Sequence, residues 1–332
     1  MLVGDMIAGY RLTTEFTTAD GGQCQWALAM RGDTTYFLKR FLDPRFPVDD
    51  GPGSAETKRQ RRFRCHAFEE HQRVIIAALS RRCAPGGNLV VARAFFREGT
   101  TYYKVTDYVD RIGLTPADVV TLPPREQCLF LATLTHSVAL LHDAGIVHGD
   151  LRPENVLPAM SRGIEYVAKL IDLDSCYVTA APPPAHLLAA DPTYAAPEVA
   201  HYTSGGAIDA CDLTIEADIF SLGLLIVLYT VGPDAFAALG SHAPHEFAQR
   251  GYPIPLAWEH VPPPLVELVR QMLAPRPERR PPARTVLTVL KYADHSEWAS
   301  PCAPVLHGTL LSRCELESST PSRLRGTLIG SR

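Results

Sequence analysis

The chain has 332 residues, of which 46% are hydrophobic, enough to bury the core of one large domain or of two lobes. A formal net charge of −4 and an isoelectric point near 6.3 argue against a nucleic-acid binder that relies on bulk positive charge. The eight cysteines include no Cys-x-x-Cys pair, so we expect reduced, packed thiols and a cytoplasmic protein.

The first hundred residues have the pattern of a small sheet interrupted by one helix. Residues 1 to 6 lack a basic region followed by a long apolar run, so no signal peptide is expected. A loop rich in Pro, Gly and Asp at 43–53 leads into a predicted helix over 55–79. Runs of β-branched and aromatic residues bounded by Gly and Asp turns predict strands at 10–14, 25–29, 35–41, 89–97 and 101–108.

From residue 115 the apolar residues recur at helical spacing. Residues 125–144 predict a helix that Gly145 ends, and the chain to about Tyr292 is predicted to be mainly helical. The most apolar stretch, 219–231, is too short for the ~20 residues of a membrane span, so it predicts a buried core helix. Beyond 294 the chain is rich in Ser, Thr and Arg, which predicts a flexible tail over 295–332.

Two short segments carry the chemistry of the chain, His148-Gly-Asp-Leu-Arg-Pro-Glu-Asn-Val-Leu and Lys169-Leu-Ile-Asp-Leu-Asp. They place three oxygen-bearing side chains, Asp150, Asn155 and Asp172, beside apolar residues suited to short strands. Such oxygens suit Mg²⁺ held against a polyphosphate while a carboxylate orients a hydroxyl nucleophile. The two segments therefore predict a phosphoryl-transfer site.

The same segments resemble the catalytic loop and the D-F-G metal-binding motif of protein kinases. Three downstream residues extend the resemblance: Glu198 in Ala-Pro-Glu, Asp218 in a helix that would brace the catalytic loop, and Arg280, which would pair with Glu198. The resemblance covers about residues 10–290. It implies a bilobal α+β protein-kinase-like fold, with a β-rich N-lobe over 8–109 and a mainly helical C-lobe over 110–294.

The resemblance also implies roles for the catalytic residues. Asp150 would orient the substrate hydroxyl, while Asn155 and Asp172 would hold Mg²⁺. Arg152 would keep a positive charge near the γ-phosphate, through a planar fork rather than a point charge. Lys39, a lone cation on an apolar strand, would grip the α- and β-phosphates of ATP.

Other positions are implied to surround the nucleotide. In kinases the strand lysine pairs with a helix glutamate, and here Glu69 is favoured, although Glu70 and Gln72 also suit the spacing. Against the Gly-rich loop of the family, residues 19–26 are degraded, so phosphate would be approached mainly at Gly21 and Gly22. Thr106 would gate the pocket behind the adenine, and Asp107 and Val109 would offer backbone groups to the base.

Four residues depart from the family pattern. Gly149 stands where most regulated kinases carry an arginine that binds an activation-loop phosphate, so activity is expected not to wait for that phosphate. Leu173 and Asp174 replace Phe and Gly of D-F-G, and Asp174 is expected to fix the segment rather than attract cations. Asp191 replaces a Thr that contacts the catalytic aspartate, which predicts unusual substrate docking.

The resulting expectation is an ATP- and Mg²⁺-dependent Ser/Thr protein kinase of the bacterial kind, with protein substrates and no nucleic-acid or membrane partner. Autophosphorylation or docking of the tail is suggested by Arg325-Gly326-Thr327. Two alternatives stay open. The His-Gly-Asp-Leu spelling also resembles aminoglycoside and choline phosphotransferases, which lack the Glu198, Asp218 and Arg280 set. The degraded Gly-rich loop and Asp174 also suit a nucleotide-binding pseudokinase scaffold.

Overall fold

The structure is a computed structural model, and it describes residues 2–19, 24–161, 163–188, 190–258, 261 and 263–292. All of them belong to one compact unit. Gly21, Gly22 and the predicted tail at 295–332 lie outside the described residues.

The first part of the chain forms six strands, β1 (Met6–Ile7), β2 (Tyr10–Leu12), β3 (Cys24–Arg31), β4 (Thr34–Phe41), β5 (Ala92–Glu98) and β6 (Thr101–Asp107). They make an antiparallel sheet with the strand order β1-β2-β3-β4-β6-β5. Apolar residues such as Leu38 and Tyr103 are buried on one face of it. Lys39 of β4 lies directly opposite Lys104 of β6, so both side chains lie on the other face.

The long helix α1 (Ala55–Ser80) packs on the sheet face that carries the two lysines. Ser54 caps its N-terminus, because the Ser54 hydroxyl accepts a hydrogen bond from the backbone N–H of Thr57 at 3.2 Å. Phe68 on its inner side packs edge-to-face on Phe41, with ring centroids 5.0 Å apart, and on Tyr102 at 5.3 Å. These aromatic contacts fix which side of α1 faces the strands.

The second part is mainly helical, and α5 (Glu216–Val231) lies at its centre with nearly every residue buried. Two small two-stranded antiparallel sheets flank the catalytic segments: β7 (Ile146–Val147) pairs with β10 (Tyr177–Val178), and β8 (Val156–Ser161) pairs with β9 (Glu165–Leu170). The helices are α2 (Pro116–Val120), α3 (Pro124–Asp143), α4 (Pro197–Thr203), α5 (Glu216–Val231), α6 (Pro244–Gln249), α7 (Pro263–Met272) and α8 (Ala283–Tyr292).

The predicted α+β kinase-like architecture is confirmed, with a β-rich part before a helical part. The exact lobe boundary at 109/110 stays a prediction. Among the described helices, none alone has the length and apolarity of a membrane span; α5 and the following turn Pro233–Leu239 reach them only together and are bent by 117°.

Candidate active site

Asp218, at the start of α5, binds the backbone of the catalytic loop. Its carboxylate accepts hydrogen bonds from the backbone N–H groups of His148 at 2.7 Å and Gly149 at 3.1 Å. His142 Nε2 lies 3.0 Å from the same carboxylate. A side chain that is only 2% exposed needs such partners, because an unpaired buried charge is very costly. The apolar helix α5 therefore fixes the backbone that leads into Asp150.

Asp150 and Asn155 form one hydrogen-bonded unit within that loop. Asn155 Nδ2 donates to the backbone carbonyl of Asp150 at 2.7 Å and to Asp150 Oδ2 at 3.0 Å. Both bonds use the amide nitrogen, so the amide oxygen of Asn155 keeps its lone pairs for another partner. Burial raises the pKa of Asp150, against the opposing charges of His148 and Arg152. A raised pKa makes this carboxylate a better proton acceptor.

Asp172 is brought next to Asn155 by the β8–β9 hairpin. Val156 pairs with Leu170, and the N–H of Ile171 donates to the carbonyl of Asn155 at 2.9 Å. Asp172 itself has a φ of +58°, a left-handed conformation that aspartate tolerates better than most residues. The backbones of Asn155 and Asp172 are therefore adjacent, and an amide oxygen and a carboxylate are ligands of the kind that Mg²⁺ prefers.

Lys39 reaches this group from β4. Its Nζ donates to Asp172 Oδ1 at 2.9 Å and to Oδ2 at 3.1 Å, and it lies 2.5 Å from Asp174 Oδ2. Burial alone would lower the pKa of Lys39, but Asp174 and Asp172 together raise it above its ordinary value. The predicted meeting of Lys39 with the catalytic segments is thus present in the structure, with two carboxylates as its partners.

The second of these carboxylates, Asp174, is shared between two lysines. Lys104 forms an ion pair with its Oδ1 while Lys39 contacts its Oδ2. Both oxygens are shielded from solvent, so the attraction between the opposite charges is screened little. Burial would raise the pKa of Asp174, but Lys104 and Lys39 hold it well below its usual value. Sequence reasoning missed Lys104, although a lone lysine in Tyr-Tyr-Lys-Val-Thr was a visible signal.

The expected pairing of Glu69 with Lys39 is not formed in the described structure. Glu69 Oε1 instead accepts a hydrogen bond from the Tyr102 hydroxyl at 2.7 Å, and His66 and Arg97 lie 3.2 and 3.7 Å from its carboxylate. The physical reason is helical phase, because each residue turns the side chain by about 100° around the helix axis. The aromatic packing of α1 turns Glu69 toward Tyr102.

Gly149 occupies a position where a side chain would collide. Its φ is +77°, and an added Cβ would lie 2.8 Å from the carbonyl oxygen of Ser175 and 3.1 Å from the ring of Tyr177. Both the backbone conformation and the space therefore require glycine. Release from activation-loop control, which the sequence suggested from this glycine, stays a prediction.

Arg152 is directed toward the segment that precedes α4. Its guanidinium lies 3.0 Å from Glu154 and 3.4 Å from Asp191 Oδ2. Asp191 also accepts a hydrogen bond from the backbone N–H of Thr193 at 2.8 Å. Arg152 and Asp191 are thus in contact with each other, as a cation and an anion.

Glu198 and Arg280 form a buried, two-pronged ion pair. The two guanidinium nitrogens lie 2.6 and 2.8 Å from the two carboxylate oxygens, and Arg280 also donates to the carbonyls of Ala274 and Glu216, each at 2.9 Å. These extra acceptors satisfy a guanidinium that is fully buried. The pair links α4 to the segment that precedes α8.

The residues expected around the base lie at the end of β6. Thr106 pairs with Phe37 of β4 and lies on the same face as Lys104, two residues away. The Asp107 carboxylate accepts hydrogen bonds from Arg93 Nε at 2.7 Å and from the N–H of Gly86 at 3.1 Å. Val109 follows the strand and is half-buried. Their contacts with a base, like those of Gly21 and Gly22 with phosphate, stay predictions.

The chain matches the family model described as "Protein kinase domain" over residues 67–290, and it therefore belongs to the protein kinase family.

Several serine/threonine kinases are similar to it. Serine/threonine-protein kinase DCLK3 of Homo sapiens is 25% identical over 206 residues, which cover 60% of this chain and 30% of that protein. Ovarian-specific serine/threonine-protein kinase Lok of Drosophila melanogaster is 32% identical over 164 residues, or 48% of this chain and 33% of that protein. Calcium/calmodulin-dependent protein kinase type II of Caenorhabditis elegans is 30% identical over 159 residues, which cover 47% of this chain and 21% of that protein. The matched parts thus span a third or less of these relatives.

Proposed function

We propose that the protein is an ATP-dependent serine/threonine kinase that transfers the γ-phosphoryl group to protein hydroxyls. The observation that carries the proposal is the joining of Asp150, Asn155, Asp172 and Lys39 in one group, since phosphoryl transfer depends chiefly on positioning and charge. The relatives named above are serine/threonine kinases, which supports this substrate class.

Each residue would act through the contacts already described. Asp150 would accept a hydrogen bond from the substrate hydroxyl and take its proton at the carboxylate. Lys39 would bind the α- and β-phosphates, and Arg152 would offer positive charge to the γ-phosphate. The Asn155 amide oxygen and the Asp172 carboxylate would hold Mg²⁺, which when bound neutralises charge on the phosphates. Thr106, Asp107 and Val109 would border the base.

The Glu198–Arg280 pair and the Asp218 brace favour a protein substrate over a small molecule, because the phosphotransferases with a similar catalytic loop lack this set. The presence of Lys39 beside the other three residues favours an enzyme over a scaffold. The proposal includes action in the cytoplasm, independence from activation-loop phosphorylation, and autophosphorylation of the tail. The bacterial type, implied by overall resemblance, belongs to the proposal as well.

Incubation of the purified protein with labelled ATP and Mg²⁺, beside Asp150→Ala, tests the main claim. Label on protein that disappears in the variant is the expected result. Nucleotide binding without transfer would point to a scaffold, and label only on added aminoglycoside or choline compounds would point to the small-molecule enzyme. Phosphopeptide mapping of the same reaction tests the tail, and unmodified tail peptides would remove that part of the proposal.

A further inference from the structure

We infer that Asp174 is the positioning residue for Lys39, in place of a carboxylate on α1, and that Lys104 balances its charge. The inference rests on the proposed function, because Lys39 is the residue assigned to the nucleotide phosphates. The inference assigns a role to Asp174, which replaces the Gly of D-F-G, and to Lys104, which is not among the proposed catalytic residues.

The geometry of three elements carries the inference. Asp174 lies just after the metal-binding Asp172, and its two oxygens are divided between Lys39 on β4 and Lys104 on β6. The side chain of Lys104 is only 7% exposed, and both oxygens of Asp174 are shielded from water. Ion pairs in such surroundings are screened little, so they hold a side chain in place better than surface pairs do.

The cross-strand register explains why the three charges occur together. Lys39 and Lys104 lie directly opposite each other on one face of the sheet. Like charges in opposed positions destabilise a sheet, and a buried lysine without a partner is costly. One carboxylate placed between the two lysines removes both costs. Asp174 and Lys104 thus depend on each other, and Lys39 gains a fixed anchor from the pair.

Asp174 can pair with Lys39 while Asp172 binds a metal ion. Lys39 contacts both Asp172 and Asp174 in the structure. If Asp172 turns its oxygens to a metal ion, Asp174 is still in contact with Lys39 and offers no competing route to the metal, because its oxygens are enclosed by the two lysines.

The helix α1 supplies no such anchor among its described residues. Glu69 is bound to Tyr102, and Glu70 is exposed and pairs with Arg73. His71 of α1 lies close enough to Lys104 and Asp174 to interact with their charges, and it hydrogen-bonds the backbone of Cys176. In the structure, the position of Lys39 is therefore set by the segment that also carries Asp172, so a shift of α1 would leave the lysine held.

A mutant cycle on nucleotide binding separates positioning from simple structural support. It is made in Lys104→Met protein, so that Asp174→Asn leaves no unpaired buried lysine at position 104. Affinity for ATP with Mg²⁺ is measured by calorimetry, and thermal melting confirms that each variant is folded. We expect Asp174→Asn to weaken binding about tenfold when Lys39 is present and to have no further effect in Lys39→Met, because it acts through that lysine. Equal effects in both backgrounds would overturn the inference.

Three further variants test Glu69 against Asp174 as the anchor of Lys39. Glu69→Gln is expected to change ATP affinity less than about twofold, as is the matched control Glu70→Gln one residue along α1. Asp174→Glu, which keeps the charge, is expected to recover most of the binding that Asp174→Asn loses. A loss of affinity in Glu69→Gln as large as that in Asp174→Asn would return the anchor to α1.

The readouts keep this inference separate from the proposed function. Nucleotide binding that follows the expected cycle in a protein that transfers no phosphate would retain the anchor and reject the kinase. If the protein binds no ATP, crystal structures of Asp174→Asn and Glu69→Gln still decide the question. Lys39 displaced from Asp172 only in Asp174→Asn supports the anchor, and Lys39 unmoved in both rejects it.

Discussion

The two sides of the candidate site differ in how they follow the kinase pattern. On what we call the lower side, which comprises Asp218, Glu198 and Arg280, the expected partners are in contact: Asp218 binds the backbone of the catalytic loop and Glu198 binds Arg280. On what we call the upper side, which comprises Lys39 and the residues expected to pair with it, Glu69 of α1 binds Tyr102 and Asp174 contacts Lys39 instead. A backbone brace requires one geometry, whereas a lysine can be held by any carboxylate that reaches it. The lower side therefore tolerates less change than the upper side.

The largest expected effect is on the reaction itself. Asp150→Asn keeps the shape of the side chain and its contact with Asn155 but removes the proton acceptor, so phosphoryl transfer should fall by about 10²- to 10⁴-fold. Transfer from labelled ATP measures this, with ATP affinity as the control that should stay nearly unchanged. Transfer at the wild-type rate would exclude Asp150 as the catalytic base.

The second effect tests the rigidity of the lower side. Arg280→Met leaves the buried Glu198 without its partner, which should reduce the free energy of unfolding by about 3–5 kcal/mol. Urea denaturation measures the change. The double variant Glu198→Gln with Arg280→Met removes both charges and should recover part of the loss. If the single and double variants are equally unstable, packing rather than charge accounts for the effect.

The third effect concerns the glycine that departs from the family pattern. Gly149→Ala adds a Cβ that meets the carbonyl of Ser175 at a φ of +77°, and we expect a loss of about 1–3 kcal/mol in unfolding free energy. Gly99→Ala is the matched control, since its φ is +60° but nothing lies within 4 Å of the added Cβ. Equal losses in the two variants would show that backbone conformation alone requires glycine at 149.

The smallest effect is expected on the upper side. Tyr102→Phe removes the hydrogen bond to Glu69 and should lower the free energy of unfolding by about 0.5–1.5 kcal/mol, measured by urea denaturation. ATP affinity should not change, because this bond lies apart from Lys39. A marked drop in ATP affinity would mean that the Tyr102–Glu69 pair helps to place the lysine, and the contrast between the two sides would weaken.

Local patterns in the sequence predicted much of the fold. The helix expected over 55–79 is Ala55–Ser80, and the strands expected near 35–41 and 101–108 are Thr34–Phe41 and Thr101–Asp107. These predictions succeed because apolar period and turn residues act over a few neighbours. The Glu69–Lys39 pair is not formed in the structure because it depends on the rotation of α1 about its axis, and the packing of Phe68 against Phe41 and Tyr102 sets that rotation.

The sequence by itself determined which chemical groups the protein brings to the site: a carboxylate and an amide on one loop, a second carboxylate after a strand, and a lysine on the sheet. Only the tertiary structure decided which of these groups touch. Lys39 and Asp172 are 133 residues apart in the chain, and Lys104 becomes relevant only through its register opposite Lys39. The physical reason is that ion pairs depend on distance in space, and strand register and helix rotation set that distance after the chain has folded.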